Sequence, residues 1–391
     1  MIWRPSHIRW IAFGLAILFS LPWLGAPFVG LYLWGSPYLM LNAILSGKEL
    51  VWLYLIGMAL LVAVFIKTRW ICRYVCPAGV VCDLSSKWGR KRARHWGLPI
   101  NKYLALLSFG LALFGFPILM LLDPFNLFFM AFEGFRTGMG TAALIKLGGL
   151  VLLILFSLVF PNTWCASVCP LGGLQLLAID LKKAGNKVNG KQAVRADRRL
   201  FLAGLTGAVW GILLSRLWPR PGPAPIRPPF ALEEPDMNAV CIRCGSCSAA
   251  CPTHIITQSL DIRHPQRLLT PRVQFRDTYC LPTCNECGKV CPSGAIQHFS
   301  VREKKNHVMG IARIELEKCY LNIGRECNQC RHYCEFDAIE MRTSPSTPRL
   351  PHVIEERCVG CGACQVVCPP QVIKIAEPGR ADNRLMGKSV V

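Results

Sequence analysis

Two cysteine runs decide the fold of the second half of this sequence: CIRCGSCSAACP at residues 241–252 and CVGCGACQVVCPP at residues 358–370. Both contain CxxCxxCxxxCP, a spacing in which three closely spaced thiolates hold one 4Fe-4S cluster and the fourth binds a neighbouring cluster. Two variants with a longer first gap lie between them. We predict an α+β ferredoxin-like domain with four 4Fe-4S clusters. The sixteen ligands are Cys241, Cys244, Cys247, Cys251, Cys280, Cys284, Cys287, Cys291, Cys319, Cys327, Cys330, Cys334, Cys358, Cys361, Cys364 and Cys368.

Other uses of closely spaced cysteines fit these runs less well. A disulfide framework is the alternative in an oxidising compartment, but four repeats of one cluster-binding spacing argue against it. Zinc sites use paired CxxC motifs rather than a third cysteine followed by xxxCP. The chain contains no CxxCH motif, so we predict no c-type haem. The spacing leaves open whether the first run shares its clusters with the second run or the fourth.

The residues before these runs are strongly apolar. The chain has 391 residues, of which 52% are hydrophobic, and its mean hydropathy is +0.35. Runs of about 17 or more mostly apolar residues, each long enough to cross a bilayer as a helix, lie near 8–24, 50–66, 103–122, 141–160 and 201–217. We predict an α-helical membrane bundle, made of a four-helix pseudo-repeat and a fifth signal-anchor helix, in front of the ferredoxin domain.

The net charge of +21 is concentrated in the apolar part of the chain. Residues 1–218 hold 22 Lys and Arg against 6 Asp and Glu, whereas the remainder holds 22 against 17. The basic residues cluster in the loops that follow the second apolar run and precede the fifth. This asymmetry is the positive-inside pattern, which places the N-terminus and both loops in the cytoplasm. The ferredoxin domain is then periplasmic, in a bacterial inner membrane, and the charge does not indicate a nucleic-acid partner.

The fifth apolar run begins with an export-like motif. Arg198, Arg199, Phe201 and Leu202 give RRxFL, which resembles the twin-arginine signal of proteins exported in the folded state. A plain positive flank of a membrane span is the alternative interpretation. The Pro-rich stretch after it is typical of a stiff tether. The predicted domains are residues 1–180 (membrane bundle), 181–218 (basic loop, signal and fifth span), 219–238 (tether) and 239–391 (ferredoxin domain).

A CxxxCP motif occurs twice in the membrane part. Cys72 and Cys76 recur 93 residues later as Cys165 and Cys169. Two span-loop-span units, each ending in this motif, predict a pseudo-symmetric bundle. We expect the four thiols at the cytoplasmic ends of the second and fourth spans, where they hold an additional Fe-S cluster, form a transient disulfide or remain unpaired. Cys82 has no counterpart in the second unit and is interpreted as a spare thiol.

These motifs resemble known families. The first 190 residues are similar to the membrane protein NapH with its CxxxCP pairs, and the remainder resembles the MauM/NapG ferredoxin family, so the chain looks like a NapH–NapG-like fusion. The resemblance implies that a membrane subunit oxidises quinol and a periplasmic polyferredoxin passes electrons toward a nitrate reductase or a cytochrome c-type partner. NapH-type proteins usually carry a cytoplasmic ferredoxin tail, which is missing here. CxxxCP pairs also resemble those of the NosR and CcoG groups, so the acceptor is not fixed.

Quinol oxidation requires a site within reach of lipid and a group that accepts protons. The loops 28–48 and 125–136 are rich in aromatic and apolar residues and, by the predicted topology, lie on the periplasmic side next to the ferredoxin domain. We predict that they shape the quinol pocket. The candidate proton acceptors are Asp123, Glu133 and Glu49. Asp123 is preferred because it lies deepest, between an apolar run and a proline.

Two other functions are compatible with the same sequence. One is a redox maturation or reactivation factor that reduces a metal centre or disulfide in a periplasmic metalloenzyme. The other is a quinone-reducing chain that runs in the opposite direction, fed by a periplasmic donor. A slow, substoichiometric requirement for the protein distinguishes the first of these from a respiratory donor.

Overall fold

A computed structural model of the protein describes residues 5–21, 31–47, 54–66, 69–89, 100–138, 140–186, 193–217, 224–344 and 347–377. It consists of a helical part, up to Leu217, and a ferredoxin part, from residue 224 onward. Much of both predicted basic loops, together with Glu49, lies outside the described residues.

Helices form the whole described secondary structure of the helical part, because its apolar runs contain few residues that break a helix. Proline follows directly after the N-cap of α5 and of α7, where its missing N–H costs nothing. The helices are α1 (Pro5–Ser20), α2 (Pro37–Gly47), α3 (Tyr54–Ile66), α4 (Trp70–Tyr74), α5 (Pro77–Trp88), α6 (Ile100–Ala112), α7 (Pro124–Ala131), α8 (Gly134–Thr137), α9 (Thr141–Val159), α10 (Pro170–Asn186) and α11 (Ala193–Leu217).

The third predicted span, 103–122, is not one helix. Helix α6 ends at Ala112, and a turn with Gly115 at a φ of 79° leads into a separate 3-10 helix over Pro117–Leu122. Proline at 117 cannot donate a backbone hydrogen bond and disfavours helical backbone at the residue before it. The prediction of a continuous third span is therefore wrong, because apolar composition alone does not reveal the helix break between Ala112 and Pro117.

Among the described residues, α9 is the one helix long and apolar enough to cross a membrane. The first and third runs form shorter apolar helices, with His7–Ser20 and Ile100–Ala112 as their apolar segments. The described part of the second run, Tyr54–Ile66, is also shorter than a bilayer requires. The five-span bundle therefore stays a prediction.

The two CxxxCP motifs adopt the same local structure. The N–H groups of Cys76 and Cys169 each donate to the carbonyl five residues earlier, at 2.9 and 2.8 Å. Each motif ends at the first residue of a helix, α5 or α10. A side chain at Gly79 or at Gly172 would lie 3.1 Å from the carbonyl oxygen of the first cysteine of its motif. The sequence repeat is thus a structural repeat at these positions.

Helix α11, which contains the twin-arginine motif, packs closely against α6. The contact depends on glycine. A Cβ added at Gly207 would lie 2.5 Å from the carbonyl oxygen of Leu107, and one at Gly110 would lie 2.5 Å from that of Gly204. The missing side chains let the two backbones approach, as in small-residue helix pairs.

The ferredoxin part consists of short helices and three two-stranded antiparallel sheets. Strand β1 pairs with β2, β3 with β6, and β4 with β5. Its core contains Met237, Ile296, Phe299 and Ile373 together with cysteines of all four runs. The elements are α12 (Glu234–Val240), α13 (Ser246–Ala250), β1 (Ile256–Gln258), β2 (Pro271–Val273), α14 (Glu286–Lys289), α15 (Val301–Lys304), β3 (Ile311–Ile314), α16 (Gln329–His332), β4 (Ile339–Ser344), β5 (Thr347–Val353), α17 (Ala363–Val366) and β6 (Ile373–Ala376).

Part of the predicted tether at 219–238 belongs to the ferredoxin part. The carbonyl of Ile226 accepts a hydrogen bond from the N–H of Val273 at 2.7 Å. Phe230 stacks between Phe299 and His307, with ring centroids 4.7 and 4.1 Å away. The tether prediction is therefore wrong from Ile226 onward, because this aromatic and aliphatic pair anchors the Pro-rich stretch to the domain.

The helical and ferredoxin parts share one buried core. Ile242 and Cys244, from the first cysteine run, belong to the same cluster as Leu33 and Phe125 of the helical part. The Asn126 side-chain amide donates to the carbonyl of Ile242 at 3.0 Å. Because Asn126 is fully buried, this bond fixes the first cysteine loop to α7.

The glycine contact between α6 and α11 predicts opposite effects of two similar substitutions. Gly207→Ala should lower the free energy of unfolding by ~1–3 kcal/mol, because the new methyl group overpacks the interface. Gly204→Ala is the matched control, since its Cβ would meet nothing within 4 Å and alanine favours helix over glycine by up to ~1 kcal/mol. Thermal unfolding of the detergent-solubilised chain measures both. Equal melting temperatures for the two variants would contradict the packing of α6 on α11.

Candidate functional site

The sixteen predicted ligands form four groups of four cysteines. Three groups each line a small cavity of about 20 Å³, and the fourth is identified by the proximity of its thiols. Each group takes three cysteines from one run and the last cysteine of another. We name them tetrad A (Cys241, Cys244, Cys247, Cys291), tetrad B (Cys251, Cys280, Cys284, Cys287), tetrad C (Cys334, Cys358, Cys361, Cys364) and tetrad D (Cys319, Cys327, Cys330, Cys368).

The tetrads settle which runs are paired. The first run exchanges its last cysteine with the second, and the third exchanges with the fourth. The tetrads also have a spatial order. Cys247 of tetrad A lies near Cys287 of tetrad B, and the N–H of Cys280 in tetrad B donates to the carbonyl of Cys361 in tetrad C at 2.9 Å. Cys364 of tetrad C in turn lies near tetrad D. The order in space is therefore A, B, C, D.

Glycine shapes the ligand loops of tetrads A and C. Gly245 and Gly362 each follow the second cysteine of their run with φ values of 82° and 86°, a backbone conformation that other residues rarely adopt. A side chain at Gly362 would also lie 2.2 Å from the ring of Phe275. These turns bring the third cysteine back toward the first two.

The tetrads fit 4Fe-4S clusters better than single metal ions. Within the described ranges, no three Cys, His, Asp or Glu side chains converge closely enough to hold one ion. Four thiolates arranged around a cavity are instead the ligand set of a cubane cluster, which accepts and donates one electron when bound. Apart from cysteine, the cavity of tetrad C is lined by Phe336, Ile339, Ile375 and other nonpolar residues, so bulk water is largely excluded.

The thiols of the two CxxxCP motifs are also close together. The thiols of Cys72, Cys76 and Cys169 lie close enough to interact electrostatically. The side-chain amide of Gln175 donates a hydrogen bond to the Cys72 sulfur at 2.9 Å. Cys76 and Cys169 are 5% and 3% exposed, so both thiols are buried.

Cys82 has a partner that sequence reasoning missed. Its thiol lies beside that of Cys165. The repeat could not reveal this contact because position 82 has no equivalent in the second unit. Cys82 is therefore not a spare thiol in the sense we expected.

The two described candidate proton acceptors lie in different environments. Asp123 is fully buried and caps α7, since Oδ1 accepts from the N–H groups of Phe125 and Asn126 at 2.9 and 3.1 Å. Its Oδ2 accepts from the Ser36 hydroxyl at 2.8 Å. These contacts stabilise the N-terminus of α7, so the Asp123 carboxylate has a structural role.

Glu133 contacts both parts of the molecule. Its carboxylate forms a buried ion pair with Lys146 of α9. The side-chain amide of Gln258, from β1 of the ferredoxin part, donates to its two oxygens at 3.1 and 3.3 Å. Lys146 and Gln258 were not predicted; Lys146 was visible in the sequence as a lone charge within an apolar run.

Comparison with known proteins agrees with the cysteine geometry. The 4Fe-4S dicluster domain family matches residues 240–295 and 323–372, the same division into pairs of runs. The 4Fe-4S binding domain family matches residues 50–95, 143–187 and 287–307, and the first two ranges contain the CxxxCP motifs. No solved structure matches the chain.

The curated relatives decide the family. Ferredoxin-type protein NapG of Haemophilus influenzae is 30% identical over 198 residues, which are 46% of this chain and 70% of NapG. The chain belongs to the MauM/NapG ferredoxin-type family. Methylamine utilization ferredoxin-type protein MauM of Methylobacillus flagellatus is 29% identical over 205 residues, 48% of this chain and 86% of MauM. Ferredoxin-type protein NapG of Escherichia coli is 28% identical over 199 residues, 48% and 85% respectively.

In this MauM/NapG-type protein, the exchanged cysteines of two tetrads receive matching hydrogen bonds. The N–H of Ile296 donates to the sulfur of Cys291, and the N–H of Ala338 donates to the sulfur of Cys334, both at 3.3 Å. Such bonds stabilise negative charge on sulfur and are one of the factors that set the potential of an iron-sulfur cluster.

Two buried cations support the first two tetrads and were not predicted. Arg243, 2% exposed, lies between the first two cysteines and donates to the carbonyls of Cys241 and Leu268 at 2.9 and 3.0 Å. Lys304 donates to the carbonyl of Cys284 at 2.7 Å. A positive charge beside each ligand loop offsets part of the negative charge of four thiolates.

Burial controls the protonation of the tetrad thiols. It raises the pKa of Cys330 and of Cys361 to about 11, and that of Cys244 to about 12. These thiols are therefore protonated at neutral pH in the iron-free chain. Iron takes the place of the protons when a cluster binds, so cluster loading releases protons and is favoured by rising pH.

The capping role of Asp123 predicts a difference between two substitutions. Asp123→Ala should destabilise the chain by ~1–2 kcal/mol, because two N–H groups of α7 lose their acceptor. Asp123→Asn keeps an oxygen at the cap and should lose much less. Chemical denaturation in detergent measures the difference. Equal destabilisation by Ala and Asn would show that the cap is not what Asp123 provides.

The exchange of cysteines predicts which double substitutions are additive. Cys244→Ser and Cys291→Ser remove ligands of the same tetrad, so the double variant should lose no more iron than either single one, about four atoms. Cys244→Ser with Cys251→Ser affects two tetrads and should lose about eight. Iron and sulfide analysis of the anaerobically purified chain distinguishes these outcomes. Additive loss for the first pair and non-additive loss for the second would overturn the assignment of tetrads A and B.

Proposed function

We propose that this chain is a membrane-anchored electron-transfer protein that oxidises quinol and passes the electrons through four 4Fe-4S clusters to a periplasmic acceptor. The observation that carries the proposal is the serial order of four cysteine tetrads, the first of which is bonded to the helical part through Asn126. Transfer from a lipid-soluble donor of two electrons to a water-soluble acceptor requires such a series of one-electron centres that begins at the membrane.

The number of clusters follows from the number of complete ligand sets. Each tetrad supplies the four thiolates that one 4Fe-4S cluster requires. All sixteen cysteines are used, and none is shared between tetrads. Matches to two 4Fe-4S families support the same chemistry.

Exposed apolar side chains support a membrane location for the helical part. On α9, Leu152 is 67% exposed, and on α11 Phe201 is 70% exposed. Several neighbours on each helix are also exposed and apolar, including Leu155 and Val209. A stripe of this kind is costly in water and is stable against lipid. The distribution of basic residues favours a cytoplasmic N-terminus and a periplasmic ferredoxin part.

The family supports the choice of acceptor. The names of the relatives point to the nitrate reductase system or to methylamine utilization, and we favour a nitrate reductase-type or cytochrome c-type partner. The repeated CxxxCP units support a NapH-like origin for the helical part, fused to a NapG-like ferredoxin part. The paired CxxxCP thiols are suited to an additional cluster or to a redox dithiol.

Anaerobic EPR titration of the full chain in nanodiscs tests the proposal. Menaquinol or ubiquinol analogues should produce reduced-cluster signals, and dithionite should deliver about four electrons per chain. If dithionite reduces the clusters and neither quinol does, the quinol-dehydrogenase function is wrong and a maturation role or reverse electron flow takes its place.

Two matched cysteine variants locate the entry point. Cys244→Ser disables tetrad A and should slow the quinol-driven reduction of the remaining clusters at least ~10-fold, which corresponds to ~1.4 kcal/mol of activation free energy. Cys327→Ser disables tetrad D and should leave that rate unchanged. Equal rates in both variants would contradict a series that starts at tetrad A.

A further inference from the structure

A cavity of about 250 Å³ lies between the helical and the ferredoxin parts, beside tetrad A. One wall comes from α8, α9 and the residues around them, and the other from β1, β2 and the segments around them. The side chains that matter for its chemistry are Glu133, Thr141, Ala142, Gln258, Arg272 and Arg276. Tetrads A, C and D line other cavities.

One residue of the cavity wall, Glu133, belongs to an unusual buried ion pair. Glu133 and Lys146 are 5% and 3% exposed, and removing both charges from water costs several kcal/mol per ion before their attraction is counted. An apolar pair would fill the same space at lower cost. A carboxylate at this position therefore indicates a chemical function. Glu133 is the member of the pair that lines the cavity.

Two buried polar atoms of the cavity residues have no partner. Among the described residues, neither Gln258 Oε1 nor Arg272 Nε has a hydrogen-bond partner. Gln258 is 7% exposed, and its amide nitrogen is already directed to Glu133. An unsatisfied buried polar atom costs about 1–3 kcal/mol. A ligand that both donates and accepts hydrogen bonds would satisfy both atoms.

Gln258 also borders the cavity of tetrad A, together with Cys247 and Cys291. Gln258 therefore lines both cavities. Glu133 approaches the same ligand loop from the other side, since a side chain at Gly245 would lie 2.2 Å from its carboxyl group. A molecule bound at Glu133 is consequently adjacent to the first cysteine loop.

We propose that this cavity binds the head group of the quinol, with Glu133 as the proton acceptor and tetrad A as the point of electron entry. The inference rests on the proposed function and adds the site to it. One quinol hydroxyl donates to the Glu133 carboxylate, and the opposite ring oxygen accepts from Arg272. Oxidation converts quinol to quinone and releases two electrons and two protons. The protons leave one at a time through the Glu133 carboxylate to solvent. The 4Fe-4S cluster that tetrad A would hold would accept the two electrons one after the other and pass each on to the cluster of tetrad B.

The size of the cavity fits a head group without its tail. Sites that enclose a whole ligand usually measure roughly 300–1,000 Å³, whereas this one measures about 250 Å³. Apolar residues next to the cavity wall, Phe135, Leu144 and Ile145, are 63%, 52% and 56% exposed. They provide an apolar surface along which an isoprenoid tail extends into lipid.

The chemistry of the cavity disfavours a phosphate group without a hydrogen-bond donor beside it. Arg272 and Arg276 would attract a phosphate, but the Glu133 carboxylate lines the same cavity. The phosphate itself has no hydrogen to give the carboxylate and would be repelled by it. A quinol has two hydroxyl groups and no charge.

Photoaffinity labelling tests the site without relying on turnover. The full chain in nanodiscs is treated with a photoreactive azidoquinone, and the labelled peptides are mapped by mass spectrometry. We expect labels on α8, on α9 or on β1. Ala142→Phe fills the cavity and should abolish them, while Glu355→Gln, which changes an exposed carboxylate in the ferredoxin part, should not. Labels confined to other peptides, or a phospholipid that stays bound and blocks labelling, would overturn the proposal.

Stopped-flow reduction of the clusters separates this site from the general function. Glu133→Gln should slow reduction by quinol about 10²-fold, as expected for loss of a general base, and leave dithionite reduction unchanged. If wild type accepts electrons from quinol and both Glu133→Gln and Ala142→Phe match it, the site is wrong and the proposed function stands. If quinol does not reduce the wild type, the proposed function itself fails.

Discussion

The exchange of one cysteine between paired runs is the constraint on which the ferredoxin part depends. A run of three thiols cannot complete a four-thiol site, so each run must fold against a second one. This requirement places Cys291 beside the first run and Cys251 beside the second. The short sheets and helices between the runs have little core of their own, and the cysteines are a large part of what is buried there. Ligand geometry thus takes the role that apolar packing has in larger domains.

Sequence alone identified the ligands but not their partners. The CxxCxxCxxxCP spacing specifies three cysteines on one loop, and any of the other runs could supply the fourth. Tertiary contacts decide, such as the antiparallel pairing of β3 with β6, which brings Ile311 and Ala376 together. The break in the third apolar run and the anchored tether were missed for a different reason. Both depend on single residues, Pro117 and Phe230. The average composition of the surrounding stretches predicted a continuous helix in the first case and a tether in the second.

The candidate carboxylates show how much a site depends on neighbours that sequence does not supply. Asp123 and Glu133 are both isolated acids near the ends of apolar runs. Asp123 uses its oxygens on α7 and Ser36, whereas Glu133 faces a cation and an amide from two distant segments. Depth along an apolar run favoured Asp123. The position of the ferredoxin part favours Glu133, and that position could be found only once the two parts were seen together.

Synthesis of the chain completes the four tetrads in two stages. Tetrads A and B are complete once residue 291 has been synthesised, but tetrads C and D both wait for the final run, since Cys358 belongs to C and Cys368 to D. A nascent or truncated chain that ends before residue 358 therefore has tetrads A and B but neither tetrad C nor tetrad D. The final run is therefore required to complete two of the four tetrads.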